Sequence, residues 1–366
     1  MKLLVNAPIN ALSFGNVSIN ILRELHKKNH EIVFFPIGEK AEIDAYDKID
    51  PDFVKFLQES TNTRYEKIDN NIPSLKLWHI FGSETRYTKH QSLFTFHEVS
   101  EVTKIEKNLL NLQDQIFVSS NYTKNILEYK GFKNVSYIPL GFDKDFCTNN
   151  KSYLPDKIHF GIMGKFESRK NTARIIKTWL KIFGNKSDYQ LSCAIHNPFL
   201  EKTRLQEELF KITSGKQYNN LNFIPYMQTN SEVNDYLNSV DIDLGGLSSA
   251  EGWNLPSFNA TALGKWSVVL NATAHKDWAT KDNCILIEPS SLRDCYDEIF
   301  FKKGNAFNQG QFFDISDEEI ESAIIKSLEY AKKPNNEGLK LQNTFTYEKT
   351  VETILSAINT HMTQQK

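Results

Sequence analysis

The chain of 366 residues, with 40% apolar and 24% charged residues, has the length of two packed domains and the composition of a folded protein, which excludes a disordered one. A formal net charge of −2 shows no basic excess, which argues against a dedicated nucleic-acid-binding protein. No apolar run approaches the roughly 18–20 residues of a membrane-spanning helix, and Asn6, Pro8 and Asn10 interrupt the apolar start before a signal-peptide core could form. A cytoplasmic chain is expected, with peripheral membrane association left open.

Short strands and helices alternate in the first 150 residues. The segments KLLVNAP and EIVFFPIG are predicted strands, and between them Val17, Ile21 and Leu25 recur at helical spacing. Further strands are predicted in SLFTFHE, QIFVSS and VSYIPLG, with helices in EVTKIEKNLLNL and NYTKNILEYKG. Repeated strand–helix–strand units predict a parallel sheet. The segment from Glu39 to His90 shows no recognisable pattern.

A polar, irregular segment then ends at Pro155, so we expect a domain boundary near residue 150. Strands and helices alternate again from KIHFGIMGKF to GKWSVVLN, and the tail is helical by period, with Ser316 as a helix N-cap. The predicted fold is α/β, with a Rossmann-like domain at 1–150, a second at 151–340, and a C-terminal helical segment at 341–366 whose packing against the first domain is left open. Two doubly wound domains predict a ligand-binding cleft at the carboxyl ends of the strands.

The turn GKFESRKN follows a predicted strand and precedes a predicted helix. Gly164 allows the backbone to turn at the end of the strand. Lys165, Arg169 and Lys170 follow within six positions, before a helix that begins near Thr172. A helix N-terminus offers free N–H groups and partial positive charge, and nearby cations add charge-assisted hydrogen bonds. This arrangement predicts a diphosphate-binding turn; a solvated basic turn is the structural alternative.

An acid lies in a glycine turn at another helix start, in EGWNLPSFNATALGK. Glu251 precedes Gly252, and a helix begins at Leu255–Pro256. A carboxylate accepts two directed hydrogen bonds from sugar hydroxyls, and Gly252 allows close backbone approach. The alternative is a loop acid that only stabilises the helix dipole.

Taken together, the segments from FVSSNYTKNILEYKG through GIMGKFESRKN to EGWNLPSFNATALGKWSVVL resemble the retaining GT-B glycosyltransferases, in particular the family 4 type, over about residues 94 to 290. The resemblance implies two domains facing a cleft and metal-independent transfer of a sugar from a nucleotide diphosphate sugar. It implies that Lys165 and Lys170 contact the diphosphate and that Glu251 contacts the sugar. Asn259 replaces the second acid of the family, which contacts the ribose.

The resemblance also implies roles for residues outside these two turns. His97 corresponds to a histidine near the donor sugar and acceptor, and Gly15, in the loop after the first strand, to a glycine turn near the donor phosphates or the acceptor. Asn171 occupies a position where many relatives carry glycine. The catalytic residues are therefore predicted to be Glu251, His97 and Lys170. The predicted donor-binding residues are Gly15, Gly164, Lys165, Arg169, Lys170, Gly252, Trp253, Asn254, Leu255 and Asn259.

Two patterns resemble metal sites, and neither is predicted to bind a metal. The segment Asp241–Asp243 has DxD spacing but begins an apparent buried strand. The pair His26 and His30 has i,i+4 spacing but flanks two lysines at a helix end. The scattered cysteines have no CxxC spacing, so free thiols are expected at Cys147, Cys193, Cys284 and Cys295.

The expected activity is that of a hexosyltransferase that needs no cofactor, with a UDP-sugar favoured and GDP-sugars open. The acceptor is a hydroxyl of a glycan, lipid, protein or modified DNA base; 18 Lys and Arg against 19 Asp and Glu in residues 1–150 give a DNA acceptor no electrostatic support. The alternatives are a nucleotide-sugar-binding or partner subunit that has lost catalysis, favoured by Asn259, and an epimerase or phosphorylase of the same architecture. The oligomeric state and the linkage formed are left open.

Overall fold

The structure, a computed structural model, describes residues 1–38, 41–149, 151, 153–297 and 299–364. These residues form two compact units. The first unit holds residues 1–98, 102–145 and 342–364, and the second holds residues 99–101 and 146–341. The predicted boundary near residue 150 falls on Asn150, which lies outside the described residues. Glu39, at the start of the patternless segment, and residues 365–366 of the predicted C-terminal segment also lie outside them.

The first unit is built on a parallel sheet of six strands in the order β2-β1-β3-β4-β5-β6. The strands are β1 (Lys2–Ala7), β2 (Glu31–Pro36), β3 (Pro73–Leu77), β4 (His90–Thr95), β5 (Gln115–Val118) and β6 (Val135–Tyr137). All neighbouring pairs are parallel, as the strand–helix–strand pattern predicts. Strand β1 is buried along Leu3, Leu4 and Val5 because helices cover both faces of such sheets.

The second unit contains another parallel sheet of six strands. They are β7 (Ile158–Met163), β8 (Tyr189–Ala194), β9 (Leu221–Phe223), β10 (Ile242–Asp243), β11 (Trp266–Leu270) and β12 (Cys284–Ile287). Their order is β12-β11-β10-β7-β8-β9, so the order reverses between β7 and β10. This is the strand order of dinucleotide-binding folds, which bind ligands at the reversal point. A separate antiparallel pair joins β13 (Ser291–Asp294) to β14 (Gln311–Asp314).

Helices connect the strands in both units. In the described residues they are α1 (Ser13–Lys27), α2 (Pro51–Asn62), α3 (Arg64–Lys67), α4 (Lys104–Leu110), α5 (Asn121–Tyr129), α6 (Thr172–Phe183), α7 (Lys202–Thr213), α8 (Asn230–Ser239), α9 (Leu255–Ala262), α10 (Asp317–Ser327), α11 (Asn336–Leu339), α12 (Leu341–Thr344) and α13 (Tyr347–Gln364). The predicted N-cap is confirmed, since Ser316 Oγ accepts a hydrogen bond from the Glu319 amide at 3.1 Å. None of these helices is both long enough and apolar enough to cross a bilayer.

The core of the second unit holds α6 in place. Its apolar face buries Ile175, Ile176 and Trp179, and Trp179 lies edge-on to Phe160 of β7 with ring centroids 6.0 Å apart. Burial of each such side chain contributes about 1.5–3 kcal/mol. The first turn of α6, and the turn before it, are therefore fixed against the end of β7.

The structure corrects the prediction for Gly15. Gly15 lies in the first turn of α1 and not in the loop after β1. A Cβ atom at this position would lie 2.1 Å from the Asn10 carbonyl oxygen, closer than any real side chain approaches. Glycine is needed here because the preceding loop folds back onto the helix.

The segment between residues 39 and 90, for which no pattern was recognised, contains regular structure. Helix α2 begins after Asp50, whose side chain accepts a hydrogen bond from the Asp52 amide, with Pro51 in its first turn. These are ordinary helix-start signals. Strand β3 follows in the centre of the sheet.

Candidate functional site

Two loops of the second unit meet at the point where the strand order reverses. The loop of residues 164–171 leaves the carboxyl end of β7, and residues 244–254 leave the carboxyl end of its neighbour β10. Each loop leads into a helix, α6 and α9 respectively. The basic turn and the acid turn that the sequence singles out therefore lie side by side, in the position where open α/β sheets bind ligands.

Backbone conformation fixes the start of the first loop. Gly164 has φ 149°, and a Cβ atom on it would lie 3.0 Å from Cδ of Lys170. A larger residue would be strained in this conformation and would push against the Lys170 side chain. Gly164 thus allows the lysine to pack along the backbone of its own loop.

Asn171 ends this loop in the left-handed conformation, with φ 55° and ψ 17°. Asparagine and glycine are the residues that adopt this region most readily, so Asn171 fits this position without strain. The side-chain Nδ2 of Asn171 also donates to the Leu247 carbonyl at 2.8 Å and to Ser249 Oγ at 2.9 Å. Asn171 therefore joins the two loops.

An ion-pair cluster centred on Glu251 connects the loops. Lys170 Nζ lies 2.6 Å from Glu251 Oε1, and Arg169 Nη1 lies 3.1 Å from Glu251 Oε2. Glu251 is 4% exposed, and its amide donates to Thr273 Oγ1 at 3.0 Å. Two predicted site residues, Lys170 and Glu251, are thus in direct contact although 81 positions separate them.

The electrostatics of this cluster keep Glu251 ionised. Burial alone would raise the pKa of its carboxyl group. The positive charges of Arg169 and Lys170, with the hydrogen bond from Lys170, outweigh that effect and hold the pKa well below its ordinary value. Glu251 is therefore a buried carboxylate whose lone pairs accept directed hydrogen bonds.

The three cations of the first loop differ in their surroundings. Arg169 is buried, donates to the Ala250 carbonyl and lies 3.2 Å from Glu167 Oε2, so its guanidinium holds the Glu251 loop in place. Lys165 has a side chain 33% exposed, with its Nζ 3.6 Å from Glu167 Oε1. The side chains of Lys165 and Lys170, 33% and 14% exposed, are therefore more accessible than that of Arg169, which is 8% exposed.

The start of α9 is held by a buried histidine. Asn254 precedes the helix in the left-handed conformation, with φ 67°. Its side-chain Nδ2 donates to the Gly245 carbonyl at 3.1 Å and lies 3.0 Å from His275 Nε2. His275 Nδ1 lies 2.8 Å from the Leu270 carbonyl, which can only accept, so Nδ1 carries the proton and Nε2 accepts from Asn254. Burial lowers the pKa of His275 to about 4, which keeps the ring neutral.

The other predicted residues of the acid turn are mostly enclosed. Trp253 is 3% exposed, and its ring lies edge-on to Phe258 with centroids 5.4 Å apart. Gly252 is buried and Leu255 is half-buried at the first position of α9. Asn259 is buried on the same helix, and its Oδ1 has no hydrogen-bond partner among the described residues. Asn259 Oδ1 is therefore a buried acceptor that the described residues leave unsatisfied, and its role in ribose binding stays a prediction.

Two predicted residues belong to the first unit. His97 follows the carboxyl end of β4 and is 4% exposed, and its carbonyl accepts a hydrogen bond from Thr123 Oγ1 at 2.6 Å. Gly15 lies in the first turn of α1, as described above. Their roles in binding or catalysis stay predictions.

The patterns set aside in the sequence have ordinary structural partners. Asp241 Oδ2 accepts from the His159 amide at 2.9 Å, and Asp243 Oδ1 accepts from the Gly245 amide at 3.0 Å. The His26 ring packs on Phe56, with centroids 4.5 Å apart. The four cysteines are free thiols.

Sequence reasoning missed four residues that shape this site. Glu167 and Thr273 contact the cluster as described above, and His275 orients Asn254. Arg293 of β13 donates to the Ser168 carbonyl at 2.9 Å and so holds the basic loop from outside. Glu167 could have been found from its place among the cations, whereas the other three lie far along the chain and gave no local signal.

The fold is shared with known glycosyltransferases. No family model matches the sequence, and no curated protein matches it. Among solved structures, sucrose-phosphate synthase from Thermosynechococcus elongatus superposes with a TM-score of 0.69 at 12% identity, over 98% of each chain. A glycosyltransferase from Rickettsia africae gives 0.68 at 13% identity, over 99% of this chain and 98% of that one. Anabaena HepE in complex with UDP and glucose gives 0.66 at 12% identity, over 98% of this chain and all (100%) of that one. The chain therefore has the two-domain GT-B fold, as predicted.

Proposed function

We propose that this chain is a retaining, metal-independent glycosyltransferase that uses a nucleotide diphosphate sugar. The observation that carries the proposal is the contact of Lys170 with Glu251 at the strand-order reversal of the second unit, 2.6 Å between Nζ and Oε1. A cation for a diphosphate and a carboxylate for sugar hydroxyls lie next to each other there. A sugar joined to a diphosphate presents these two groups at adjacent positions.

In this proposal, Lys165, Lys170 and the start of α6 bind the diphosphate. The first amides of a helix have no partner within the helix, and they add partial positive charge. The diphosphate gains negative charge as its bond to the sugar breaks, so fixed cations stabilise the transition state more than the ground state. These groups would supply the charge stabilisation that other transferases obtain from a metal ion.

Glu251 would bind the hydroxyl groups of the donor sugar. Its carboxylate is ionised and buried, and its backbone amide donates a hydrogen bond to the Thr273 hydroxyl, which fixes the backbone of this residue. A hydrogen bond to a charged group contributes about 1.5–3 kcal/mol, and low exposure strengthens it. Lys170 would then contact both the sugar-binding carboxylate and the nearer phosphate.

A UDP-sugar is the donor that we favour. The HepE structures, which share the fold, contain UDP and glucose or UDP-glucose. Asn259 would bond the ribose through its buried Oδ1, more weakly than the acid that it replaces. We propose a hydroxyl group as the acceptor, with glycan, lipid, protein and modified DNA base all open.

The second candidate function is binding of a nucleotide sugar without transfer, and Asn259 is the observation that favours it. Incubation of the purified chain with radiolabelled UDP-, GDP- and ADP-sugars separates the two functions. An active transferase hydrolyses its donor slowly when no acceptor is present, whereas a binding subunit retains it intact. If no labelled sugar is released, either by the chain alone or by the chain mixed with candidate acceptors, the binding subunit is favoured.

A thermal-shift panel with the same donors identifies the nucleotide. A ligand at about 100 times its dissociation constant adds about 2.7 kcal/mol to the stability of the state that binds it. We expect the largest shift with UDP-sugars. A shift with none of the donors would contradict both candidate functions.

A further inference from the structure

Two histidines and a carboxylate converge at the amino edge of the sheet of the first unit. His90 opens β4, Asp114 immediately precedes β5, and His361 lies in the last turn of α13. One ligand atom from each of these residues lies within 4.8 Å of the other two. This is the one group of three metal-ligating side chains with that spacing in the part of the chain that the structure describes.

Both histidines carry a buried ring nitrogen that lacks a hydrogen-bond partner among the described residues. These atoms are His90 Nδ1 and His361 Nε2. A buried polar atom left without a partner is destabilising, so natural structures usually satisfy it. A neutral imidazole nitrogen is also the commonest metal ligand in proteins. A bound cation would satisfy both atoms at once.

Asp114 is held so that one of its oxygens remains available. Its Oδ2 accepts hydrogen bonds from the Gln91 amide, at 2.9 Å, and from Arg86. Arg86 in turn donates to the carbonyls of Lys89 and Leu112, which fix the guanidinium on the Oδ2 side. Asp114 Oδ1 accepts no hydrogen bond from the described residues, so its lone pairs remain for a cation.

The packing of α13 places His361 in this group. Gln115 Nε2 donates to the Ala357 carbonyl at 3.0 Å, which docks the helix on the start of β5. His361 follows Ala357 by four residues, so it lies one turn further along the same face. The helix is anchored by buried Ile354 and Ile358. The three side chains therefore converge because sheet and helix are already packed together.

We propose that His90, Asp114 and His361 bind a divalent transition-metal ion such as Zn²⁺, with a water molecule as the fourth ligand. Two imidazoles and a carboxylate suit Zn²⁺, Co²⁺ and Ni²⁺. Bonds of about 2.0–2.2 Å to a tetrahedral ion bring ligand atoms to about 3.4 Å from each other. Rotation of the half-buried His361 side chain would shorten the present distances between ligand atoms to those that the ion needs.

The proposed ion stabilises the fold and takes no part in sugar transfer. The cluster lies at the amino end of β4, whereas His97 follows its carboxyl end, six strand residues or about 20 Å away. Lys165, Lys170, Glu251 and Asn259, which bind the donor in the proposed function, belong to the second unit. The ion would join β4, the start of β5 and the end of α13. The proposal does not depend on the proposed transferase activity.

Metal titration of the full chain tests this assignment. Protein stripped with a chelator is titrated with ZnCl₂ by calorimetry and with Co²⁺ by visible absorption. We expect one equivalent of each ion, tetrahedral Co²⁺ bands and a higher melting temperature with Zn²⁺. His90→Ala and His361→Ala should each weaken binding at least tenfold. His196→Ala, which removes an exposed histidine of the second unit, should bind as the parent does.

Either of two results would overturn the proposal. One is absence of Zn²⁺ binding by the parent chain, and the other is unchanged affinity in both His90→Ala and His361→Ala. Far-UV circular dichroism without metal establishes that each variant is folded. If His90→Ala fails to fold, His361→Gln replaces it as the decisive variant, because it changes only the last turn of a surface helix; retained affinity there would equally exclude the site.

Discussion

Lys170 Nζ lies 2.6 Å from Glu251 Oε1, and this contact joins the loop after β7 to the loop after β10. This ion pair and the hydrogen bonds of the Asn171 side chain to Leu247 and Ser249 fix the two loops relative to each other. In the proposed function, Lys170 of this pair binds the diphosphate and Glu251 binds the sugar hydroxyls. The contact therefore links the stability of the second unit to its chemistry.

Replacement of Lys170 tests stabilisation of the leaving group. Lys170→Ala removes one charge-assisted hydrogen bond of about 1.5–3 kcal/mol, so we expect turnover to fall at least about tenfold. The matched control is Lys177→Ala, because Lys177 is an exposed lysine of α6. Steady-state rates with saturating donor provide the measurement. Equal turnover in the Lys170 and Lys177 variants would exclude Lys170 as a phosphate-binding group.

Replacement of Glu251 tests sugar binding. Glu251→Gln keeps the shape of the side chain but leaves the half-buried Lys170 without its ion-pair partner and Arg169 with Glu167 alone, which costs about 3 kcal/mol. We expect transfer to be lost, and the melting temperature to fall while the fold is retained. Asp282→Asn, at an exposed position of the same unit, should change neither. Normal transfer by the folded Glu251→Gln chain would reduce the carboxylate to a structural role.

His275 predicts a pH dependence of stability. Burial lowers its pKa from the ordinary 6.5 to about 4, so between these values the unfolded chain binds a proton that the folded chain does not. Its contribution to stability is therefore complete above pH 6.5 and is lost as the pH falls towards 4, by about 3 kcal/mol in all. Denaturant titrations of the parent and of His275→Gln across this range measure it.

The difference in the free energy of unfolding between parent and His275→Gln should shrink as the pH falls. Other histidines contribute a slope that both chains share, and His196→Gln, at an exposed position, serves as the control. A difference that stays constant from pH 7 to pH 4 would show that His275 has the same pKa in the folded and the unfolded chain, and would contradict a ring that burial keeps neutral.

Asn171 separates conformational strain from hydrogen bonding. Asn29 has nearly the same φ, 56° against 55°, but is exposed at the end of α1. Asn29→Gly should be close to neutral, whereas Asn171→Gly loses the bonds to Leu247 and Ser249 and should cost about 1–3 kcal/mol. Chemical denaturation of both variants provides the comparison. Equal free energies of unfolding would mean that Asn171 is needed only for its conformation.

Elements with a clear apolar period could be predicted from the sequence. The predicted helix TARIIKTWLKIFG corresponds to α6, since its buried residues recur every three to four positions. Strand β3 was missed because Lys76 interrupts its apolar run. Lys76 is 2% exposed, and its Nζ donates hydrogen bonds to the Gly82 and Thr85 carbonyls and to the Thr85 hydroxyl. A buried lysine satisfied by the loop that follows its own strand leaves no sign of a central strand in the sequence.

The candidate site shows the same division. Gly164, Lys165, Lys170 and Glu251 lie in short motifs whose turn chemistry is local, so the sequence identifies them. His275 and Arg293 act through contacts that exist only after β10, β11 and β13 have packed, such as that of His275 with Asn254. Sequence spacing also could not show that Arg169 is enclosed by carbonyl and carboxylate oxygens while Lys165 remains partly exposed.

A crystal structure of the chain with UDP is the most direct test of the central claim. The account predicts the diphosphate at the start of α6, with phosphate oxygens about 3 Å from Lys170 Nζ and within reach of Lys165. Glu251 should then face the place where the sugar attaches. Diphosphate bound at any other position, with Lys170 still paired only to Glu251, would contradict the account.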